Sequence, residues 1–538
     1  MPDTSASRAS IAQHYHERTK YAPETIAAHN RGLDWSTQPQ PYKEYKLGKV
    51  YDLKTYLNEE IQVDRDGLLT SRWRRLSHLL FCSYGLTARV QTMTGEAIFL
   101  RAAPSAGGLY PAEVYLISGG TPILPAGLYN YQPQSHSLIH FWEDNSVWST
   151  FKQACLGNPI VESTRMAIVT TAIFFRSAWR YQDRAYRRIC LDTGHLLGNI
   201  ELACALNGFR PYLIGGFDDE AVNQLLYLDV SQEGAIAIVP LTDVTEDEDD
   251  IPATASSAVS SQTITEYPRI PDGQLLEFLH LATQIYPEPS ETALEPDASR
   301  SLLDPESGTS KTNAPDPDTS DRSDKYNFPF CTKISTVSPP IDWGEQLEGL
   351  ENSILRRRST RAYSGAHLDL GELNALLDFT YHPHHYGMQG LSPHPDYFDL
   401  SLIETFIAVS AVTGLEEGCY YYAPKAQELR QIRFKNFKQE LHYLCLGQDL
   451  GRDAAVVLFH TADLNKAVAK YGDRVYRYLH MDAGHLGQRL NLAAIHLGLG
   501  ASGIGGFFDD RVNEVLGIPV DEAVVYITTL GRPAYSYA

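Results

Sequence analysis

The order of apolar and polar residues switches repeatedly between helix-like and strand-like spacing. Residues 192–206 and 482–497 carry apolar side chains at steps of three and four, which predicts two helices. Short apolar runs of the kind that form buried strands occur at 113–117, 454–459 and 524–529. No GxGxxG motif opens a helix after a strand, so the dinucleotide-binding order is not expected. The pattern therefore predicts an α+β fold.

The same pattern occurs twice in the chain. Residues 181–223 and 471–513 align without a gap at an offset of 290, and Gly194-His195 then falls on Gly484-His485. Upstream, the segment GLYNYQP matches GCYYYAP at an offset of 291. Agreement that extends over about a hundred residues marks an internal repeat. We therefore predict two copies of one domain, fused in a single chain.

The stretch between the copies has a different composition. Residues 245–324 are rich in Ser, Pro, Asp and Glu, and their low hydrophobicity cannot offset the entropy lost on ordering. A short apolar segment at 275–286 is the exception, and it could form a helix. The predicted organisation is a first domain at 1–244 with an N-terminal extension at 1–50, a largely disordered linker at 245–325, and a second domain at 326–538.

Composition narrows the function classes. A hydrophobic content of 43% and a charged content of 21% are typical of a globular protein. The formal net charge of −21 disfavours nucleic acid or an anionic membrane as a partner, because both bind cationic surfaces. The seven cysteines are scattered and form no CxxC pair, which favours reduced thiols and a cytoplasmic location. Neither a signal peptide nor a membrane span is expected.

The second copy contains a cluster of cationic and hydroxyl side chains. Arg356-Arg357-Arg358-Ser359-Thr360-Arg361 lies just before a predicted helix at 370–379. Because guanidinium groups bind phosphate in a bidentate manner, this cluster could clamp a phosphate group. Taken alone, an arginine run is more typical of a solvated surface or of a patch beside the linker.

The first copy contains a segment of small residues, RAAPSAGGLYP at 101–111. Small side chains let a flat ring approach the backbone closely, which bulky side chains would block. A plain turn into the strand at 113–117 explains the segment equally well on its own, because Gly and Pro interrupt regular structure.

Four sequence blocks together resemble the signature blocks of the nitroreductase family: RRRSTR, PSAGGLYPAEVYL, KYGDRVYRYLHMDAGH and GIGGFFDD. Within that family they look like the SagB/ThcOx-type dehydrogenases, relatives of the enzymes that oxidise azolines in peptides. The opening HYHERTKYAPETIAAHNRGLDW is similar to the start of the tandem members of this group. The resemblance implies two nitroreductase-like α/β sandwich domains that pair as an intrachain pseudo-dimer, with flavin (FMN) bound at their interface.

In this family one subunit supplies an Arg-x-Ser-x-Arg/Lys clamp for the FMN phosphate, and the other supplies a Pro-Ser segment beside the ring. The resemblance implies a set of cofactor-binding residues in this chain: Arg357, Arg358, Ser359 and Arg361 in the clamp, Pro104, Ser105, Ala106 and Gly107 along the ring, Gly505 and Gly506 near the hydride-accepting nitrogen, and Arg532 as a second phosphate partner. Many nitroreductases carry an acidic residue at the position of Gly505.

The two copies differ at both parts of this site. The second copy has PDYFD at 395–399 where the first has PSAGG at 104–108, so bulky and acidic residues replace small ones. The first copy has EEIQVD at 59–64 roughly where the second has its arginines. The losses are complementary, because the surviving clamp and the surviving small-residue segment belong to the same interface site. We therefore predict one working flavin site and one vestigial site.

Candidate catalytic residues come from another pair of the same repeat. Lys470-Tyr471 matches the Lys-Tyr pair that azoline oxidases of this group use near the flavin, which implies an acid–base role. The first copy has Arg180-Tyr181 there, and arginine cannot accept a proton at neutral pH. A structural pair at the start of a helix is the alternative. The residues expected to be scaffold, because they recur in both copies, are Arg184, Arg474, His195 and His485.

The leading hypothesis is an FMN-dependent dehydrogenase or oxidase that transfers two electrons and oxidises a peptide azoline-type heterocycle. One alternative is a nitro- or quinone-reductase that uses NAD(P)H, and another is a flavin-less scaffold subunit of a peptide-modification complex. The expected partners are a small-molecule or peptide substrate and either NAD(P)H or O2 as redox partner. No metal site is predicted, since the histidines at 382–394 match no zinc spacing. We expect a monomer, because the pseudo-dimer is complete within one chain.

Overall fold

The computed structural model describes residues 8–26, 32–57, 67–91, 95, 97–244, 258–286 and 323–535. The helices of the first half and the linker are α1 (Ile11–Arg18), α2 (Gly67–Tyr84), α3 (Val147–Ala154), α4 (Pro159–Ser163), α5 (Phe174–Tyr181), α6 (Ala185–Leu206), α7 (Asp219–Leu225) and α8 (Leu275–Ala282). The strands of the first half are β1 (Lys49–Asp52), β2 (Leu86–Gln91), β3 (Ala97–Arg101), β4 (Ala112–Ser118), β5 (Gly127–Gln132), β6 (Ser137–Glu143), β7 (Met166–Ile173), β8 (Phe209–Pro211) and β9 (Glu233–Asp243).

The second half repeats this order. Its helices are α9 (Glu348–Arg356), α10 (Leu370–Tyr381), α11 (Lys438–Leu444), α12 (Asp449–Asp453), α13 (Leu464–Tyr471), α14 (Val475–His496) and α15 (Asp509–Leu516). Its strands are β10 (Lys333–Ser335), β11 (Leu368–Asp369), β12 (Glu404–Val409), β13 (Val412–Thr413), β14 (Gly418–Ala423), β15 (Glu428–Arg433), β16 (Val456–Asp463), β17 (Gly500–Ile504) and β18 (Glu522–Gly531).

Each half is built on a seven-stranded antiparallel sheet. The strand order is β1-β6-β5-β4-β7-β9-β8 in the first half and β10-β15-β14-β12-β16-β18-β17 in the second. Every residue of β4 is buried, and β7 and β16 are buried except at their last residue. Strands covered on both faces need continuous apolar runs, which is the pattern seen in their sequences. The predicted α+β fold of two fused domains is confirmed.

Two long helices hold the halves together. α6 and α14 are buried on all faces over nearly their full length. They cross at Gly194 and Gly484, where a Cβ would lie 2.1 Å from the Met481 carbonyl oxygen and 2.3 Å from the Leu191 carbonyl oxygen, respectively. Only glycine allows backbones to approach this closely. The repeated Gly-His motif therefore marks the crossing point of the two halves.

The two halves share one apolar core. A single buried cluster contains Leu116 and Ile189 from the first half together with Leu458 and Leu479 from the second. Apolar burial across the interface favours one folded unit over two loosely tethered domains. Within the described residues, no helix is both long and apolar enough to cross a membrane.

Part of the predicted linker is ordered. The Ser261 N–H donates to the Tyr471 carbonyl at 3.0 Å, and the Ile264 carbonyl accepts from the Ile11 N–H at 3.0 Å. α8 lies within the apolar segment predicted at 275–286 and buries Leu279. The stretch 258–286 thus departs from the expected disorder, because its apolar side chains find partners on the protein surface. The remaining linker residues, 245–257 and 287–322, lie outside the described residues.

The sequence pattern located the central elements but not all of their ends. The helix predicted at 192–206 begins seven residues earlier, at Ala185, and the helix predicted at 482–497 begins at Val475. The added turns carry Arg187 and Arg477, which interrupt the apolar pattern although both are buried. Each of them binds a carboxylate of the other half, which a periodicity search cannot detect.

Candidate active site

A cleft lies between the two halves, beside the crossing of α6 and α14. Its cavity volume is about 110 Å³. Its first-half wall is the segment after β3 together with one face of α6, and its second-half wall comes from α14, β17, β18 and the segment after α9. The lining residues are Pro104, Ser105, Ala106, Gly107, Arg188, Leu191, Asp192 and His195 from the first half and Ser359, Arg361, Asn491, Ser502, Gly503, Gly505 and Tyr526 from the second.

Seven of the eleven predicted cofactor-binding residues therefore line one cleft. They are Pro104, Ser105, Ala106, Gly107, Ser359, Arg361 and Gly505. The small-residue segment of the first copy and the hydroxyl and outer arginine of the second copy meet across the interface, although more than 250 residues separate them in sequence. Their roles in binding a cofactor stay predictions.

The small-residue segment is held by a buried carboxylate on α6. Ser105 Oγ donates to Asp192 Oδ2 at 2.6 Å, and the Ala106 N–H donates to Asp192 Oδ1 at 3.1 Å. Gly107 has a φ of 67°, which favours glycine, and a Cβ there would lie 2.9 Å from the Tyr181 hydroxyl. Burial raises the pKa of Asp192 to about 7, against the opposing effect of its hydrogen bonds. The segment is thus a fixed, flat wall.

The arginine run of the second copy divides among three environments. Arg357 is buried and crosses the interface, where its Nε donates to the Ala102 carbonyl at 2.7 Å and its Nη2 to the Arg101 carbonyl at 3.2 Å. Arg358 donates from Nη2 to the Thr87 carbonyl at 2.6 Å, away from the cleft. Ser359 and Arg361 face the cleft. The run therefore ties the halves together and presents a hydroxyl and a cation to the cleft.

Arg357 carries one polar atom for which the described residues offer no partner. Its Nη1 is buried without a hydrogen bond, while burial lowers the pKa of the side chain to about 10. An unsatisfied buried donor is costly, so such groups in native proteins usually have an unseen partner.

A hydrogen-bond network forms the floor of the cleft. His195 Nε2 lies 2.7 Å from the Tyr526 hydroxyl, and His195 Nδ1 lies 2.9 Å from Gln488 Oε1. Gln488 in turn donates to Asn199 Oδ1 at 2.6 Å. Burial lowers the pKa of His195 to about 4, so its imidazole is neutral at physiological pH. The network fixes the Tyr526 phenol at the cleft surface.

Sequence reasoning missed several residues of this cleft. Asp192, Arg188, Asn491 and Tyr526 carried no motif that assigned them, and His195 was expected to be scaffold. One signal was present: Arg188 aligns with Tyr478 at the repeat offset, so the two copies differ there.

The other four predicted cofactor-binding residues are not among those that line the cleft, and one of them, Arg357, makes the interface contacts given above. Arg532 pairs with Glu372, with Nη2 at 2.9 Å from Oε2, and its Nε donates to the His367 carbonyl at 3.0 Å. Gly506 faces Leu446, which would lie 3.1 Å from an added Cβ. Arg358 binds Thr87, as described above. The proposed phosphate role of Arg532 is therefore in competition with an existing ion pair.

The predicted catalytic pair lies beside the second copy of the small-residue segment. Lys470 Nζ lies 2.5 Å from Asp399 Oδ2, and the Tyr471 hydroxyl donates to the same oxygen at 3.0 Å. Neither residue lines the cleft. The equivalent residues of the first half, Arg180 and Tyr181, both approach Gly107 of the cleft wall, although they are not among the lining residues themselves. The structure thus separates the Lys-Tyr pair from the clamp with which it was expected to act.

The repeat relates the cleft to a second place at the interface of the two halves, and side chains fill that place. Phe398 stacks on Tyr478 with ring centres 4.6 Å apart, and Tyr397 stacks on His485 at 4.4 Å. The cavity volume there is only about 20 Å³, against about 110 Å³ in the cleft. The ordered linker covers it, since Val259 packs directly against Gly216. Residues 59–64, expected to lack a clamp, lie outside the described residues.

Comparison with known proteins places this architecture. The nitroreductase family model matches residues 86–241 and 354–532, one segment in each half. The chain belongs to the nitroreductase family. A crystal structure of a candidate nitroreductase from Anabaena variabilis shares 62% identity with it, covers 98% of this chain and 100% of its own, and superposes with a TM-score of 0.88. The two-copy arrangement therefore extends over a full-length relative, and nitroreductase membership supports an oxidoreductase.

Single-copy relatives match smaller parts of the chain. A candidate nitroreductase from Methanocaldococcus jannaschii is 34% identical over 186 residues, which is 34% of this chain and 90% of that protein. The microcin B17-processing protein McbC from Escherichia coli is 28% identical over 157 residues, 28% of this chain and 56% of that protein. The match thus spans about half the length of McbC.

Proposed function

We propose that this nitroreductase-family chain is an FMN-dependent oxidoreductase with a single flavin site in the cleft between its halves. One observation carries the proposal: the surviving clamp residues and the surviving small-residue segment line the same cleft, whereas aromatic side chains fill the equivalent place. A flavin needs a flat wall and phosphate donors together, and only this cleft combines them among the described residues.

The residues present fit FMN. Ser359 and Arg361 would hold its phosphate and ribityl chain, and the unpartnered Nη1 of Arg357 is a further donor for an anion. The segment 104–107 and the glycine at 505 would leave room for the ring. When bound, FMN supplies two-electron transfer. The protein contributes binding, orientation and the exclusion of water.

We assign proton handling to the Tyr181 hydroxyl rather than to Lys470 and Tyr471. Tyr181 approaches the cleft wall at Gly107, whereas Asp399 binds both of the latter residues beside the filled place. The neighbouring Arg180 stays cationic and cannot accept a proton. A phenol in the field of a cation can exchange a proton with a substrate atom at this position.

The proposed substrate is a peptide heterocycle of the azoline type, with O2 as electron acceptor. The similarity to McbC, named as a microcin B17-processing protein, supports a peptide. A nitro- or quinone-reductase that uses NAD(P)H is the second candidate. The observation that favours it is the arginine at position 180, because the lysine expected of an azoline oxidase is absent from this cleft.

The first test is the visible absorption spectrum and the FMN-to-protein ratio of the purified chain, its Ala106→Tyr variant and its Tyr397→Phe variant. We expect about one FMN per chain. Ala106→Tyr should abolish binding, because it introduces into the cleft the residue that fills the equivalent place. Tyr397→Phe, the matched control, should retain one FMN.

Each other outcome has a defined meaning. Two FMN per chain would refute the single-site proposal, and no FMN after addition of the cofactor would favour the scaffold alternative. In the loaded protein, rapid bleaching of the flavin by NAD(P)H would favour the reductase. Bleaching by an azoline-containing peptide alone would favour the dehydrogenase.

A further inference from the structure

Arg188 is a buried cation in the wall of the cleft. The residue is only 5% exposed, and its guanidinium stacks over the Tyr181 ring, 4.0 Å from the ring centre. Within the described residues it makes no hydrogen bond and no ion pair. The other buried arginines on the two crossing helices behave differently, since each binds a carboxylate: Arg184 and Arg187 bind Asp509, Arg474 and Arg477 bind Asp219, and Arg489 binds Glu201.

The fold itself does not require this arginine. At the repeat offset Arg188 corresponds to Tyr478, which stacks on Phe398 in the filled place of the other half. The same helix position therefore packs well with a neutral aromatic side chain. Of the two copies, only the one whose helix lines the open cleft at this position has an arginine there, which links the arginine to whatever the cleft binds.

The surroundings of Arg188 offset its charge only in part. Asp192 is the acidic residue beside it in the cleft wall, and Arg188 attracts its carboxylate, but the Asp192 oxygens accept their hydrogen bonds from Ser105 and Ala106. Burial outweighs these effects and raises the pKa of Asp192 to about 7, so the carboxyl is only partly ionised near neutral pH. A buried cation whose neighbouring carboxyl is only partly ionised is costly, and a ligand that supplies a full negative charge recovers that cost.

A glycine faces the guanidinium where an acidic residue would pair with it. A Cβ on Gly505 would lie 3.1 Å from Arg188 Cζ and 3.3 Å from Nη1, so an aspartate or glutamate there would reach the guanidinium. The glycine at this position leaves the guanidinium donors available to a bound molecule.

We propose that Arg188 binds a carboxylate of the substrate, so that the cleft selects anionic over neutral substrates. This inference rests on the proposed function and specifies its substrate class. The planar fork of an arginine matches the two oxygens of a carboxylate, and stacking on Tyr181 holds the fork in one plane.

The test compares two probes that differ only in charge, 4-nitrobenzoate and 4-nitrobenzamide, on the FMN-loaded protein. Their dissociation constants are measured from the change in flavin absorption. We expect the wild type to bind 4-nitrobenzoate about tenfold to a hundredfold more tightly than the amide. Arg188→Gln should abolish this preference and leave the amide affinity unchanged. Arg511→Gln removes the same charge from an exposed ion pair with Glu514 and should leave the preference intact.

Several results would overturn the inference. They are equal affinities in the wild type, a preference that survives Arg188→Gln, or an equal loss for both probes, which would indicate a structural role. A cofactor role is separated by binding FMN and riboflavin: if Arg188→Gln weakens FMN alone, Arg188 serves the phosphate and the inference is wrong.

A second variant introduces a carboxylate of the protein itself beside Arg188. Gly505→Glu should reduce the preference for 4-nitrobenzoate over the amide by about tenfold, because the new side chain occupies the guanidinium; since position 505 also lines the proposed flavin site, the two probes are compared in the same variant protein at equal FMN occupancy. Unchanged discrimination in this variant would contradict the inference. If the chain binds no FMN, the proposed function fails by itself. The carboxylate preference is then measured by titration calorimetry on the flavin-free chain, where its absence overturns the inference and its loss in Arg188→Gln supports it.

Discussion

Replacing Asp509 by asparagine should destabilise the contact between the two halves on which the cleft depends. Asp509 begins α15 in the second half and accepts hydrogen bonds from two arginines of the first. Arg184 Nη1 lies 2.9 Å from its Oδ2 and Arg187 Nη1 lies 2.7 Å from its Oδ1, while the Tyr21 N–H donates to Oδ2 at 2.9 Å. All three charged side chains are at most 3% exposed.

The magnitude follows from this burial. Removing one partner of a buried ion pair leaves an uncompensated charge and costs about 3–5 kcal/mol, whereas an exposed pair contributes about 0.2–1 kcal/mol. Burial alone would raise the pKa of Asp509, but Arg184 and Arg187 outweigh it and the pKa is lowered. A lowered pKa stabilises the folded state above the unfolded value of about 4, and this contribution is lost as pH falls through the folded value.

The assay is urea-induced unfolding at pH 7 and again below pH 4. Asp509→Asn should lose about 3–5 kcal/mol of unfolding free energy at pH 7, with a smaller deficit in acid. Asp510→Asn is the matched control, because the neighbouring Asp510 is 74% exposed and pairs with Lys20 on the surface. If Asp509→Asn stays within about 1 kcal/mol of the wild type at pH 7, the argument that buried charges join the halves is wrong.

Three further predictions concern the cleft. In steady-state assays Tyr181→Phe should lower turnover at least about a hundredfold, while Tyr471→Phe and Lys470→Ala should leave it near the wild-type value. A large loss in Tyr471→Phe or Lys470→Ala with normal turnover in Tyr181→Phe would restore the catalytic assignment of Lys470 and Tyr471. Ser359→Ala should weaken FMN about tenfold or more in a fluorescence titration, and equal affinity in Ser359→Ala and the exposed control Ser364→Ala would contradict the clamp. Burial raises the pKa of Asp192 to about 7, so between pH about 4 and 7 the folded state holds a proton that the unfolded carboxyl has released, and the unfolding free energy of the wild type falls as pH rises through this range. Asp192→Asn should flatten this pH dependence in urea unfolding. An unchanged slope would refute the raised pKa.

The elements predicted well are those whose local pattern agrees with their final environment. β4, β16 and β18 are buried along nearly all of their length, and the short apolar runs in their sequences indicate that burial directly. The first turns of α6 and α14 were not predicted, because their arginines are buried through contacts with residues that are distant in sequence. Arg187 meets Asp509 from more than 300 residues away, and no local pattern carries that information. The apolar character of 275–286 was visible, but the surface it packs on was not.

The residues of the site that sequence analysis could not assign were missed for a different reason. Comparing the repeats identified which residues each copy had lost, and the interface geometry of the family that the chain resembles then predicted that 104–107 and Ser359 share a site. It did not show on which side of the interface each remaining residue lies. Lys470 and Tyr471 match a catalytic motif, yet they belong to the half whose small-residue segment is replaced, so they face Asp399. Assigning a pair to a site needs the handedness of the interface, which sequence spacing does not contain.

Fusion of the two copies explains how such asymmetry can arise. In a symmetric dimer of identical chains, every substitution alters both interface sites at once, so filling one site fills the other. In the fused chain, Phe398 can replace the glycine of one copy while Gly107 stays in the other. The filled place then adds aromatic packing to the interface, with Tyr478 and Phe398 stacked where Arg188 and Gly107 stand in the cleft. Aromatic packing at one site can offset the cost of a buried and only partly compensated cation at the other. On this argument Arg188→Tyr, which introduces the residue found at the equivalent position 478, should raise the free energy of unfolding and remove the carboxylate preference. A variant less stable than the wild type would show that the arginine is part of the packing and not a charge held for a ligand.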